Sequence, residues 1–354
     1  MKIHLLSGFL GSGKTTAIRQ ACGLLLAENI PVGVITNDQG IRLVDGDYFK
    51  SLGIPGLQVG NGCFCCNYRD LEERIESLIQ TYDPACIFAE AVGSCTDMVA
   101  TVVKPLRRFR PDTEVTLSVL ADVRLLKMLL EENKRLFEAS VNYIYFKQLE
   151  EAGIIVVNKI DLMRPSELEK LKLTLQERYG HKTILYQDNF QEDDVRRWLN
   201  ALNEYRVPGG LSSLDIDYDL YGEGEAALGW LDEELRIESP DGRAEEAALA
   251  IAHTLFEKVV DAGHPIGHLK FMLNNRLKIS YTAGDQMRSD PVIQPARSAT
   301  LLINARVQVA PEVLMRLAEE ARMAIQAAFK GRVHADSLSA FQPGYPRPAH
   351  RIGN

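Results

Sequence analysis

Two clusters of residues have the types and spacing to do chemistry. The first is Gly8-Phe9-Leu10-Gly11-Ser12-Gly13-Lys14-Thr15, a G-x-x-x-x-G-K-[ST] pattern. Glycines there let backbone N–H groups turn inward around phosphate oxygens, and a helix N-terminus adds its dipole. Lys14 would reach the β- and γ-phosphates, and the Thr15 hydroxyl would ligate Mg²⁺. Thr16 closes the nucleotide-binding run. Lys14 is expected to be exposed, so that its removal stops turnover at little cost to the fold. The second cluster is Cys63-x-Cys65-Cys66, three thiols within four residues of a glycine-flanked loop. Thiolates suit Zn²⁺ and Cu(I), and Zn²⁺ bonds them at about 2.3 Å. Three local sulfurs leave a fourth position open, as suits a site that passes metal on. The alternatives are inert buried cysteines or a redox sensor. A Gly/Asn-rich loop argues against the first, and the poor disulfide geometry of adjacent Cys65 and Cys66 against the second. Cys22 and Cys86 read as core, and Cys95, just after Gly93, as a residue that could lie near the nucleotide.

A third motif names the base. Asn158-Lys159-Ile160-Asp161 follows an apolar run far downstream of the phosphate loop. An Asp carboxylate accepts from both the N1–H and the 2-amino group of guanine. Adenine offers neither donor in that geometry, so the expected nucleotide is GTP. Asn158 and Lys159 fix the loop and cover the ring.

These residues need a sheet to hold them. Apolar runs at Ile3 to Leu6, Pro31 to Thr36, Cys86 to Ala89, Val115 to Ala121 and Gly153 to Val157 read as buried strands, with a weaker sixth at His181 to Tyr186. Helical patterns separate them, so the fold class is α/β: a P-loop NTPase parallel sheet with helices on both faces. Asp38, Glu90, Asp122 and Asn158 each fall just past a strand's carboxyl end, the edge where open α/β sheets bind ligands.

Three segments are expected: a GTPase domain over 1–207, a smaller α+β domain over 211–330, and an extended or disordered tail over 331–354 with Pro343, Pro346 and Pro348. In the middle segment Leu214 to Leu220 alternates as a strand with an acidic face, read as solvated rather than as a cation site. Strand-like Ala226 to Ile237, a helix from Ala244 to Ala262, a hairpin turning at Asn274-Asn275-Arg276, a strand from Thr300 to Val309 and a helix opened by Pro311 follow. Pro265 and Gly267 argue against a helical ligand pair at His264 and His268. Partner or client recognition is assigned to this segment by exclusion.

Composition closes off several classes. The 354 residues are 46% hydrophobic and 25% charged, with a formal net charge of −8 and no Lys/Arg run. That argues against a nucleic-acid binder working through a basic field. No apolar segment approaches a membrane span. The N-terminus runs straight into the phosphate loop, so it does not read as a cleavable signal. Six cysteines are too few for a disulfide scaffold, which with the nucleotide loop points to the cytoplasm.

Gly8 to Thr15, Asn61-Gly62-Cys63-x-Cys65-Cys66, Glu90-x-x-Gly93 and Asn158-Lys159-x-Asp161, in that order, resemble the CobW-type GTPases. These are relatives of the urease and hydrogenase nickel-insertion GTPases. The resemblance covers about the first 200 residues. It implies a GTPase that handles a transition metal, commonly zinc or cobalt, for delivery to a client enzyme. It implies that Glu90 acts in the switch near Mg²⁺ and water, as a ligand of that ion with Thr15, that Gly93 senses the γ-phosphate, and that Asp38 is the acid closing the second strand. A homodimer is one option for its assembly. Departures point to a subgroup with its own client. Asn37-Asp38-Gln39-Gly40 stands where members usually have Asn-Glu-Phe-Gly, Gln58 where they usually have Glu, and a His-rich tract is missing. The first reading is therefore a GTP-hydrolysing metallochaperone with Lys14, Asp38 and Glu90 in catalysis. The alternative is a nucleotide-gated activation factor for a corrinoid or other cofactor-dependent enzyme. A small-molecule kinase ranks third, having no use for N-K-x-D beside C-x-C-C.

Overall fold

A computed structural model describes residues 1–37, 49, 53–60, 62–130, 136–206, 212–285 and 292–354. Contacts divide the described chain into two compact units. One lies within Met1–Gln39, Phe49–Gly224 and Pro346–Asn354, and the other is Glu225–Tyr345.

The first unit carries strands β1 (Lys2–Ser7), β2 (Val32–Asn37), β3 (Gly56–Val59), β4 (Cys86–Glu90), β5 (Glu114–Asp122), β6 (Ile154–Asn158) and β7 (Thr183–Gln187). They form one sheet in the order β3-β2-β4-β1-β5-β6-β7, and every pairing is parallel. The central strands are apolar and buried throughout, as a sheet covered on both faces requires. Its helices are α1 (Lys14–Ala27), α2 (Tyr68–Tyr82), α3 (Lys104–Phe109), α4 (Val123–Leu130), α5 (Ala139–Glu151), α6 (Pro165–Tyr179) and α7 (Glu192–Glu204). Strand β3 escapes a pattern reading because it is a four-residue, partly exposed edge strand with no periodicity to detect.

Chain order turns outward from β1 in both directions, so the sheet reverses beside it. Parallel register then aligns the polar strand ends. Leu6 pairs Glu90, Glu90 pairs Thr36, and Asp122, Asn158 and Gln187 stand side by side.

A helix α8 (Tyr218–Ala226) replaces the strand expected over 214–220. The Asp217 carboxylate accepts from the backbone N–H groups of Asp219 and Leu220, capping the helix that the alternating pattern concealed. The second unit is an antiparallel sheet ordered β10-β9-β11-β8-β12. Its strands are β8 (Gly229–Glu238), β9 (Ile266–Leu273), β10 (Leu277–Thr282), β11 (Ser298–Val307) and β12 (Arg332–Phe341). Helices α9 (Ala244–Asp261) and α10 (Pro311–Ala328) bury Ala248, Ile251, Leu255, Leu314 and Ala321 against Leu301, Ile303 and Ala305 of β11. Asn274 and Asn275 both adopt φ 51, the left-handed pair at the centre of the three-residue connection that Arg276 N–H closes on the Leu273 carbonyl at 3.0 Å. His268 sits in β9 with Nε2 3.2 Å from the Asn304 Oδ1, and no helix links it to His264.

The segment expected as an extended or disordered tail is described in two parts, the first of them extended. Residues 332–341 are β12, paired along β8. Residues 346–354 pack on the first unit instead. Ile352 N–H donates to the Ala100 carbonyl at 2.8 Å, and Arg351 Nε donates to the buried Asp97 carboxylate at 2.8 Å. Backbone hydrogen bonds and one buried charge partner supply the free energy that composition alone does not reveal. The contact division between the units falls after Gly224, and the expected boundary at Pro208-Gly209-Gly210 lies outside the described residues.

Candidate nucleotide and metal site

The loop between β1 and α1 is built on left-handed glycines. Gly8, Gly11 and Gly13 have φ of 130, 72 and 95. A Cβ on Gly8 would lie 2.1 Å from the Leu120 carbonyl oxygen, and one on Gly13 would lie 2.3 Å from Asn158 Nδ2. Only glycine fits either place. Lys14 is buried, contrary to expectation, with Nζ donating to the Gly8 carbonyl at 2.6 Å and the Phe9 carbonyl at 3.4 Å. The side chain curls back over its own loop and stays within reach of any anion held there. Thr15 Oγ1 donates to Glu90 Oε1 at 2.9 Å.

The N-K-x-D segment leaves β6 and meets the same loop. Asn158 Nδ2 donates to the Ser12 carbonyl at 2.8 Å. The buried Asn158 Oδ1 and Ser12 Oγ have no protein hydrogen-bond partner, as suits groups that face a polar ligand. Lys159 takes a left-handed φ of 64, and Asp161 is exposed in the short turn Ile160–Leu162.

Two supporting residues were not singled out for these roles by motif. Asp122 accepts from Lys159 Nζ at 2.8 Å and from Arg124 at 2.6 Å. Burial opposes its ionisation, but Arg124 and Lys159 outweigh that and hold the carboxyl below its usual range. Asn189, just past β7, donates to the Gly13 carbonyl at 3.1 Å. Its position beyond a strand's carboxyl end was the available signal.

The cysteine loop hangs from β2. Asn37 Nδ2 donates to the carbonyls of Val59 at 3.0 Å and Gly62 at 2.7 Å, and Asn37 Oδ1 accepts from Phe64 N–H at 2.9 Å. The turn closes with Cys66 N–H on the Cys63 carbonyl at 3.1 Å and then enters α2. The Sγ atoms of Cys63 and Cys65 are 2.7 Å apart, Cys63 and Cys66 3.3 Å, and Cys65 and Cys66 3.8 Å. Cys63 and Cys65 are buried, and Cys66 is partly exposed. Hydrogen bonds from Cys65, then Cys66 and Cys95, hold the Cys63 thiol well below its usual range, while the Cys65 thiol is pushed up. The sulfurs form one compact, soft donor set, which suits Zn²⁺. Cys22 and Cys86 lie in the core as expected.

The C-terminal segment borders this loop. Ala349 N–H donates to the Cys65 carbonyl at 2.8 Å, and the Arg347 backbone hydrogen-bonds the Cys66 thiol. The His350 ring stands edge-on to Tyr68 with centroids 5.0 Å apart. The expected sites at Asp38, and at Gln39, Gly40 and Asn61, lie outside the described residues.

A parallel sheet, a glycine loop entering a helix and an N-K-x-D turn on one edge define a P-loop GTPase domain. The model of the CobW/HypB/UreG nucleotide-binding domain matches residues 2–186, more than half of the chain, and the chain belongs to this family of GTPases. The zinc chaperone YeiR of Escherichia coli strain K12 is 27% identical over 255 residues, covering 65% of this chain and 74% of its own. The zinc chaperone CobW of a Sinorhizobium species is 26% identical over 203 residues, covering 51% of this chain and 57% of its own. The chain thus spans a little over half of that second relative. Among solved structures, HypB from Helicobacter pylori in complex with nickel aligns over 60% of this chain and 91% of that one, at 16% identity and a TM-score of 0.42. No helix among the described residues is long and apolar enough to cross a membrane.

Proposed function

We propose that the protein is a GTP-driven zinc chaperone of the cytoplasm, which loads Zn²⁺ on Cys63, Cys65 and Cys66 and passes it to a client metalloenzyme. One observation carries the reading. The three sulfurs all lie within 4.8 Å of one another, on a loop that Asn37 pins to the end of β2. The names of the two relatives, both zinc chaperones, agree with it. Co²⁺ has the same ligand preferences and is the second candidate cargo.

In this reading the N–H groups of Gly11, Ser12 and Gly13 and the start of α1 hold the phosphates. Lys14 leaves the Gly8 and Phe9 carbonyls for the β- and γ-phosphate oxygens and there offsets developing negative charge. Thr15 and Glu90 would hold Mg²⁺, which supplies further positive charge to the same oxygens. Glu90 orients the attacking water. Asp161 reads the guanine edge, and Asp122 fixes Lys159 against the ring. Gly93 senses the γ-phosphate. Hydrolysis relaxes the segment that follows β4 and so loosens the cysteine loop.

The test is a Zn²⁺ titration of protein loaded with GDP or with a non-hydrolysable GTP analogue, beside Cys65→Ser. Affinities should differ between the two nucleotides by roughly 5–150-fold. Equal affinities would separate the metal from the GTPase cycle. Full-strength binding by Cys65→Ser would remove the thiol site altogether.

A further inference from the structure

The end of β4 and the turn after it hold three residues with three different neighbours. Glu90, the last residue of β4, accepts from Thr15 of the phosphate loop. Gly93 lies directly on that loop: a Cβ there would be 2.9 Å from Leu10 N and 2.7 Å from Leu10 Cδ2. Two residues on, the fully buried Cys95 turns its thiol into the cysteine cluster and hydrogen-bonds the thiols of both Cys63 and Cys65. Its backbone is held as well. Cys95 N–H donates to the Val92 carbonyl at 3.1 Å, and the buried Gln148 on α5 donates to the carbonyls of Gly93 at 3.0 Å and Cys95 at 2.8 Å.

Cys63 and Cys65 therefore have two thiol neighbours in common, the partly exposed Cys66 and the buried Cys95. We propose that Cys95 is a fourth metal-binding thiolate, which closes the C-x-C-C cluster into a four-sulfur site and ties the bound ion to the strand end that contacts the phosphate loop. The inference rests on the metal-binding reading of Cys63, Cys65 and Cys66.

The chemistry fits. With bonds of about 2.3 Å, a tetrahedral Zn²⁺ sets sulfurs about 3.8 Å apart along each edge. The three sulfurs of the loop stand 2.7, 3.3 and 3.8 Å apart. An ion at the centre needs them to spread slightly rather than to gather. Zn²⁺ favours four donors, and Gln58, half-buried on β3, offers only a weak neutral one. The arrangement also has a functional consequence. Only Ser94 would stand between the residue whose sulfur binds metal and a glycine packed on Leu10, so movement of that glycine reaches the ion without a long relay.

X-ray absorption on the Zn²⁺-loaded full chain counts the donors without any substitution. Four sulfurs in the first shell are expected; three sulfurs with one lighter donor overturn the proposal. Co²⁺ titration followed by thiolate-to-metal charge-transfer absorption gives the second readout. Cys95→Ser and Cys95→Ala should lower that band by about a quarter and weaken Zn²⁺ at least tenfold, the smallest loss usual even for an outer-shell partner. Cys22→Ala, which removes a thiol elsewhere in the core, should leave both unchanged. If the Cys95 variants bind as wild type while Cys65→Ser does not, Cys95 is no ligand and the three-thiolate reading stands. If Cys65→Ser also binds as wild type, the metal reading itself falls.

Discussion

Thr15 Oγ1 donates to Glu90 Oε1 across 2.9 Å, which joins the first turn of α1 to the last residue of β4. Register makes the meeting unavoidable, because β1 and β4 are neighbours and Leu6 pairs Glu90. A carboxylate so placed can both hold a cation beside Thr15 and orient water. Glu90→Gln keeps the shape and the acceptor for Thr15 but loses the charge. We expect GTP turnover to fall by about 100-fold or more, the usual contribution of an acid–base group, with nucleotide affinity changed only a few-fold. Steady-state phosphate release beside equilibrium binding of a fluorescent GTP analogue checks this.

Lys14→Ala should abolish turnover, and it should also cost stability. The side chain is buried and satisfies two carbonyls of its own loop. Leaving buried acceptors unmade costs about 1–3 kcal/mol. Urea unfolding of the nucleotide-free variant should show that loss. A variant as stable as wild type would mean that the Nζ contacts carry no weight.

Asp161→Asn should move preference from GTP to xanthosine triphosphate. The amide donates where the carboxylate accepted, and the xanthine 2-oxo group accepts where the guanine 2-amino group donated. Competition binding of the two nucleotides decides it, with ATP as the control that should compete poorly with wild type.

Asn37→Ala removes three hydrogen bonds that suspend the cysteine loop from β2. The fold should lose about 1–3 kcal/mol through the Gly62, Val59 and Phe64 groups left behind. Zn²⁺ affinity should fall by about 10–100-fold, as for other residues that support ligands without binding metal. Competition against a chelating dye measures it, and unchanged affinity would show that the loop holds its shape alone.

Glu151 sets a pH dependence. It ends α5 and accepts from Thr96 Oγ1 at 3.1 Å and Val99 N–H at 3.2 Å. Burial, together with the nearby Asp97 charge, pushes its pKa up to about 8 from 4.5, although those hydrogen bonds oppose the shift. Lys182 faces it as the nearby cation. The folded form holds this proton more tightly than the unfolded chain. Its stabilising contribution is therefore complete below pH 4.5 and is lost as pH rises towards 8. Glu151→Gln mimics the neutral acid, so its melting temperature should overtake that of wild type as pH increases from 5 to 9. Parallel curves for the two proteins would show that Glu151 is ionised throughout.

Much of this protein was legible from residue order. Phosphate loop, N-K-x-D turn and cysteine triplet are local devices, whose chemistry follows from side chains a few positions apart. The alternation of apolar runs with helical patterns implied a parallel sheet, and the sheet implied that Glu90, Asp122 and Asn158 would share one edge. What the order of residues could not convey is every relation made across the sheet. Asp122 holding Lys159, Asn189 on Gly13, Asn37 suspending the cysteine loop, and Cys95 joining Cys63 and Cys65 each depend on which strands are neighbours and in what register. The burial of Lys14 depends on the path of its own loop, and the docking of residues 346–354 on partners far away in the chain. Such contacts have no period and no motif. They form because a buried donor or acceptor must be satisfied, and only tertiary packing decides which one stands close enough.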